Sequence, residues 1–200
     1  MRPIAYINGQ VLQGRAFHRG LAVTVREPRI AGIIPEDQVN ESVFDVVDLE
    51  NNYLLPGFID VQVNGGGGVL FNDQPDVAGI TAITAAHRQF GTTGMLLTLI
   101  SDDLAVIKKG ISAVNAAIEM GIPGVLGIHI EGPFLNVEKR GIHDARKIQK
   151  LTADLVDELE PVNNGCSLIT VAPETMNPAL MGALRAKGFI VSAGPSNASQ

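Results

Sequence analysis

The chain has a single cysteine, Cys166, in 200 residues. No intrachain disulfide can form, and nothing in the sequence calls for an oxidising compartment. Cys166 reads as a small residue near the start of a buried strand. Basic residues are in deficit, 15 Lys and Arg against 21 Asp and Glu, and the formal charge of −6 has the wrong sign for a nucleic-acid or anionic-membrane binder. No apolar run approaches the ~20 residues that cross a bilayer. The N-terminal Met1-Arg2-Pro3-Ile4-Ala5-Tyr6-Ile7-Asn8-Gly9 reaches a turn dipeptide before a signal-peptide core could develop. A cytoplasmic protein without nucleic-acid or membrane partners is expected. Apolar material is ample: 46% of residues are hydrophobic and 18% charged, with a mean hydropathy of +0.20. The 22 glycines and 11 prolines, about one residue in six, imply many tight turns but fall short of low complexity.

Residues 1–53 read as short strands and turns, a small β-sandwich part: Ile4 to Ile7, Val11-Leu12, Leu21 to Val25, Ile30 to Ile34 and Val43 to Leu49. Asn8-Gly9 predicts a type I′ hairpin, since both central positions of that turn need positive φ. From residue 54 the texture changes to apolar strands alternating with helical patterns. The strands are Phe58 to Asn64, Met95 to Ile100, Val125 to Glu131, Leu168 to Ala172 and Phe189 to Ala193. Leu104, Ile107, Ile111, Val114 and Ile118, spaced by three and four, mark the clearest helix, which stops at Gly121. Asn177-Pro178 opens another that ends at Gly188. Val77 to Phe90 and Thr152 to Leu159 complete the set.

Alternating β and α units imply a parallel sheet, either doubly wound or a (β/α)8 barrel. The period of two puts Asp60, Gln62 and Asn64 on one face of the first strand and His129 and Glu131 on one face of the third. Polar residues alternating inward at carboxyl strand ends favour the barrel. Residues 54–200 therefore read as a partial (β/α)8 barrel with about five of the eight strands that such a barrel has.

The strongest chemical block is Gly127-Ile128-His129-Ile130-Glu131-Gly132-Pro133-Phe134-Leu135-Asn136. A carboxylate at a barrel mouth can ligate a metal or act as acid or base; equally, Glu131 could be a rim residue paired with Lys139 or Arg140. His129, deeper in the strand, reads as a hydrogen-bonded interior residue. His143, twelve positions after Glu131, lies in a loop that could carry it over the pocket to polarise a carbonyl or shuttle a proton, or leave it exposed. His18 and His87 read as surface residues without a role. Asn64-Gly65-Gly66-Gly67-Gly68 lacks the Lys-Ser/Thr of a P-loop and reads as a tight turn rather than a phosphate cradle.

Taken together, several blocks resemble the N-acetylglucosamine-6-phosphate deacetylases of the amidohydrolase superfamily. They are Leu55-Pro56-Gly57-Phe58-Ile59-Asp60-Val61-Gln62-Val63-Asn64-Gly65, His129 to Asn136, Lys139-Arg140-Gly141-Ile142-His143, Val171-Ala172-Pro173-Glu174, and Ser192-Ala193-Gly194 with Ser196-Asn197-Ala198. The resemblance implies a metal-dependent barrel joined to a small β-sandwich. It also implies hydrolysis of the acetamide of N-acetylglucosamine 6-phosphate to glucosamine 6-phosphate and acetate. Gln62-Val63-Asn64 stands where many superfamily members have His-x-His, which implies the mononuclear subgroup with one Zn²⁺.

Carried over by position, Glu131 would be a metal ligand and His143 the catalytic residue that polarises the substrate carbonyl. Gln62, Asn64, Ile142 and His143 would bind substrate. A homodimer is implied for the full-length form. Where the family has a ligating His in Ser-Ala-Gly-His-Ser-Asn-Ala, this chain has Pro195, whose side chain offers no ligating atom. Glu131 is then one ligand of an expected three, and these 200 residues alone are expected to be inactive. The alternatives are a catalytically dead, sugar-phosphate-binding paralogue or fragment, or another amidohydrolase.

Overall fold

The computed structural model describes residues 2–198, and the chain divides into two compact units after Pro56. The first unit holds β1 (Ile4–Ile7), β2 (Gln10–Gln13), β3 (Ala16–His18), β4 (Leu21–Arg26), β5 (Arg29–Pro35), β6 (Asp45–Asp48) and β7 (Tyr53–Leu54). They form two sheets, β5-β4-β1-β6 and β3-β2-β7. The division falls three residues beyond the 53/54 boundary read from the sequence. β7 pairs in parallel with β2, Val11 opposite Leu54, and Leu54, Leu55 and Pro56 line an apolar groove with Val11, Val23 and Val25.

The hairpin expected at Asn8-Gly9 does not form. β1 pairs with β4 and β6, while β2 pairs with β3 and β7, so the dipeptide carries the chain from one sheet to the other. Asn8 has φ +52° but Gly9 is not in the positive-φ region. Gly9 meets a different need: a Cβ there would lie 2.5 Å from Leu49 Cδ1 and 3.2 Å from the Asn52 carbonyl oxygen.

The second unit runs β8 (Phe58–Val63), β9 (Gly65–Gly66), β10 (Val69–Leu70), α1 (Val77–Arg88), β11 (Thr92–Ile100), α2 (Leu104–Glu119), β12 (Val125–Glu131), α3 (Ala153–Glu158), β13 (Cys166–Val171), α4 (Pro178–Ala186) and β14 (Ile190–Ala193). Three of the four helices, α1, α3 and α4, start at a side-chain cap. Asp76 accepts from the Gly79 amide at 2.8 Å, Thr152 from Leu155 at 3.3 Å, and Asn177 from Ala179 at 2.9 Å. The apolar stripe of α2 is buried at Ile107, Ile111, Val114 and Ala117 and packs with Leu97, Leu99, Ile128, Ile130 and Ile169 in one core. The glycine run is a two-residue hairpin, β9 to β10, with Gly67 and Gly68 at φ +60° and +82°. That is the I′ pattern, and it accounts for the run without a phosphate.

The main sheet settles the choice between architectures. Its order is β8-β11-β12-β13-β14, every neighbour parallel. A doubly wound sheet reverses direction at a switch point, whereas a barrel adds each strand beside the last. The sheet also curls. Side chains of β12 reach partners on β8 across the intervening β11, which a flat sheet with strands ~4.8 Å apart would not allow. The fold is thus a partial barrel of five parallel strands preceded by a small β-rich unit. Among the described residues, no helix is long and apolar enough to cross a membrane.

Candidate active site

Three of the side chains singled out from the sequence converge at the carboxyl ends of the strands. Gln62, near the end of β8, donates from Nε2 to Glu131 Oε2 at 2.8 Å. Glu131 closes β12, and its other oxygen, Oε1, lies 3.8 Å from His143 Nε2. The basic side chain facing it is therefore His143 and not Lys139 or Arg140. His143 is not an exposed loop residue: it is buried, with Nδ1 at 2.8 Å from Ser101 Oγ and 3.1 Å from the Ser101 amide nitrogen.

Asn64 lies just past β8. Its carbonyl accepts from the Phe71 amide at 2.8 Å, and its side-chain Nδ2 is buried without a protein partner. Ile142 stands out into solvent, 86% exposed.

The His143 loop is held over the strand ends by charge. Lys147 bonds Asp103 and lies 3.2 Å from Asp102. Asn72 donates to Asp102 at 3.1 Å and exchanges hydrogen bonds with the backbone of Ile100. Pro133 accepts from the Gln149 amide at 3.0 Å, which closes the loop's far end.

The facing His143 imidazole, against the opposing effect of burial, holds the Glu131 carboxyl below its ordinary range, and the Gln62 amide adds to this. Glu131 is thus an anion. Burial pushes the His129 imidazole down, with the Glu131 charge opposing. The Val61 carbonyl lies 3.0 Å from His129 Nδ1 and can only accept, so Nδ1 carries the hydrogen and Nε2 accepts from the Thr170 hydroxyl at 2.7 Å. His129 is therefore an interior hydrogen-bonding residue with no lone pair left over.

The donor set bears on the metal that the resemblance implies. Among the described residues no group of three His, Cys, Asp or Glu side chains gathers in a way that could hold an ion. Glu131 offers oxygens, but His129 has both nitrogens engaged and His143 has Nδ1 engaged by Ser101. At Pro195 the backbone carbonyl accepts from the Asn136 amide at 3.4 Å. Zinc sites use three or four protein ligands, so the described residues do not by themselves fit the ion.

Ser101 and Thr170 were not found by reading the sequence. Serine and threonine are too common to signal anything alone. The usable signal was that Ser101 directly follows β11, a carboxyl strand end like that of Glu131.

No family model matches the chain. An N-acetylgalactosamine-6-phosphate deacetylase of Shewanella sp. (strain ANA-3) is 45% identical over 150 residues, covering 75% of this chain and 38% of that protein. An N-acetylglucosamine-6-phosphate deacetylase of Haemophilus influenzae is 33% identical over 181 residues, covering 90% and 47%. The crystal structure of N-acetylglucosamine-6-phosphate deacetylase from Pasteurella multocida superposes with a TM-score of 0.89 at 31% identity, covering 98% of this chain and 52% of that one. The chain is a relative of the N-terminal part of the N-acetylglucosamine-6-phosphate deacetylases. It spans about half the length, or less, of the deacetylases that it matches. The deacetylase from Mycobacterium smegmatis, at 21% identity and a TM-score of 0.83, repeats the same fold.

Proposed function

We propose that the chain forms the N-terminal part of a deacetylase that cleaves the acetamide of an N-acetylamino-sugar 6-phosphate to the free amino-sugar phosphate and acetate. The observation that carries this reading is the Gln62–Glu131–His143 cluster at the mouth of the partial barrel, in a chain whose relatives are deacetylases of such sugars. His143 presents Nε2–H to the acetamide carbonyl and stabilises the oxyanion that builds on it, the kind of contact worth roughly 10²–10³ in rate. Gln62 orients the Glu131 carboxylate, and the orphaned Nδ2 of Asn64 is a donor for a substrate oxygen. Ile142 is an apolar contact for the sugar. Glu131 is the one residue here suited to a divalent ion such as Zn²⁺, so the other donors come from outside the described residues. Under the same reading the enzyme works in the cytoplasm as a homodimer, on a small molecule rather than on nucleic acid or membrane.

Both epimers at C4 of the sugar are substrates to test. The gluco form is implied by the sequence blocks, and the galacto form by the name of the 45% identical relative. Residues 1–200 would replace the matching part of the Pasteurella multocida enzyme, and acetate release would be measured with each sugar phosphate. Turnover that falls at least 100-fold in Glu131→Gln and His143→Gln supports the proposal. A folded, inactive chimera overturns it unless Pro195→His restores turnover. Tight sugar-phosphate binding without turnover would instead favour a binding paralogue.

A further inference from the structure

We infer that Ser101 is a positioning residue for His143: its backbone N–H, which can only donate, fixes the ring as the Nε2–H tautomer, and its hydroxyl holds the same Nδ1, so that the one N–H of the ring turns towards Glu131 and the barrel mouth. An amide N–H can only donate, so the Nδ1 that accepts it at 3.1 Å carries no hydrogen. The neutral ring then bears its hydrogen on Nε2. With Nδ1 bare, the hydroxyl at 2.8 Å is a second donor to the same nitrogen. The opposite tautomer would set two N–H groups against each other and turn a lone pair towards a carboxylate 3.8 Å away. Both changes are unfavourable in a buried site.

The surroundings hold Ser101 in place. It is buried, and it joins β11 to the Asp102-Asp103 pair that Lys147 and Asn72 clamp. The residue after Glu131 leaves room for the hydroxyl: a Cβ at Gly132 would lie 2.2 Å from Ser101 Oγ. The carboxylate strand end and the serine strand end are therefore fitted to each other. In this arrangement His143 enters any reaction as a hydrogen-bond donor at Nε2. That this N–H meets an acetamide carbonyl rests on the deacetylase reading above; the tautomer does not.

The test is a side-chain ¹⁵N–¹H correlation spectrum of the ¹⁵N-histidine-labelled protein, with His143→Gln assigning the signal among the four histidines. The wild type is expected to show Nε2 protonated and Nδ1 as the acceptor. In Ser101→Ala the amide donor remains, so the Nε2–H form should persist, while loss of the hydroxyl should shift the Nδ1 resonance towards that of an unbonded imine nitrogen. The backbone spectrum shows whether the variant is folded. A wild-type ring protonated on Nδ1, or a folded Ser101→Ala with an unchanged Nδ1 resonance, overturns the inference; if the variant does not fold, the wild-type spectrum alone decides. Absence of acetate release in the chimera would count against the deacetylase reading and leave this result standing.

Discussion

The two buried histidines of the second unit have their ring nitrogens assigned by their partners, and the assignments are opposite. His129 donates from Nδ1 to the Val61 carbonyl and accepts at Nε2 from Thr170, whereas His143 accepts at Nδ1 and turns Nε2–H towards Glu131. His129 thereby joins β8, β12 and β13 through one side chain, and replacing it by an apolar ring of similar size leaves the buried Thr170 hydroxyl unpaired and takes the donor from the Val61 carbonyl. An unsatisfied buried group costs about 1–3 kcal/mol, so His129→Phe is expected to lower unfolding stability by about 1–3 kcal/mol in urea denaturation. A loss under 1 kcal/mol would mean that the Val61 carbonyl and the Thr170 hydroxyl find other partners.

Between elements, the carboxylate of Glu174 does the corresponding work on loops. It follows β13 and accepts from Ser196 Oγ at 2.6 Å, Asn136 Nδ2 at 2.8 Å and the Asn197 amide at 2.7 Å, and so gathers the segments after β12 and β14. The Ser196 hydroxyl foremost, then the Asn136 amide, hold its carboxyl down at about 2, against the burial that would raise it. The folded pKa is below the unfolded one, so the unfolded chain takes up the proton first. The stabilisation is complete above about pH 4.5 and is lost as pH falls towards 2. Carbonyl-detected NMR titration should give Glu174 a midpoint near 2, with the Asn197 amide moving in step. A midpoint near 4.5 would show the loops untied.

These contacts also mark what the sequence could show and what it could not. The strands and helices of the second unit were legible because periodicity, caps and stops act within a few residues. The period of two put Gln62 and Glu131 near strand ends and left His143 in the loop that follows, but it could not say that the three side chains meet. The Asn8-Gly9 hairpin was misread because the pairing of β1 with β6 and of β2 with β7 is decided some forty residues away. Ser101 was missed for the same reason: its partner, His143, is 42 residues further on.

At the scale of the whole molecule, the sequentially ordered sheet brings strand ends together without bringing metal donors together. His87 has Nε2 at 2.9 Å from the Gly65 carbonyl, so it holds the glycine hairpin instead of lying idle at the surface. His129 is saturated, His143 turns an N–H outward, and Glu131 is left as one carboxylate. A single carboxylate binds zinc weakly, whereas a three-ligand site folded into the chain would couple binding to stability. At 100-fold excess over its Kd, a ligand adds ~2.7 kcal/mol, and 1 kcal/mol moves Tm by about 2–4 °C in a chain of this size. Zinc at 0.1 mM is therefore expected to shift the Tm of the 200-residue chain by less than about 1 °C, where a micromolar site would raise it by roughly 5–11 °C. A chelator should leave Tm unchanged. Stoichiometric zinc retained through dialysis and released with a fall in Tm would show that these residues assemble a ligand set that their hydrogen bonds now deny.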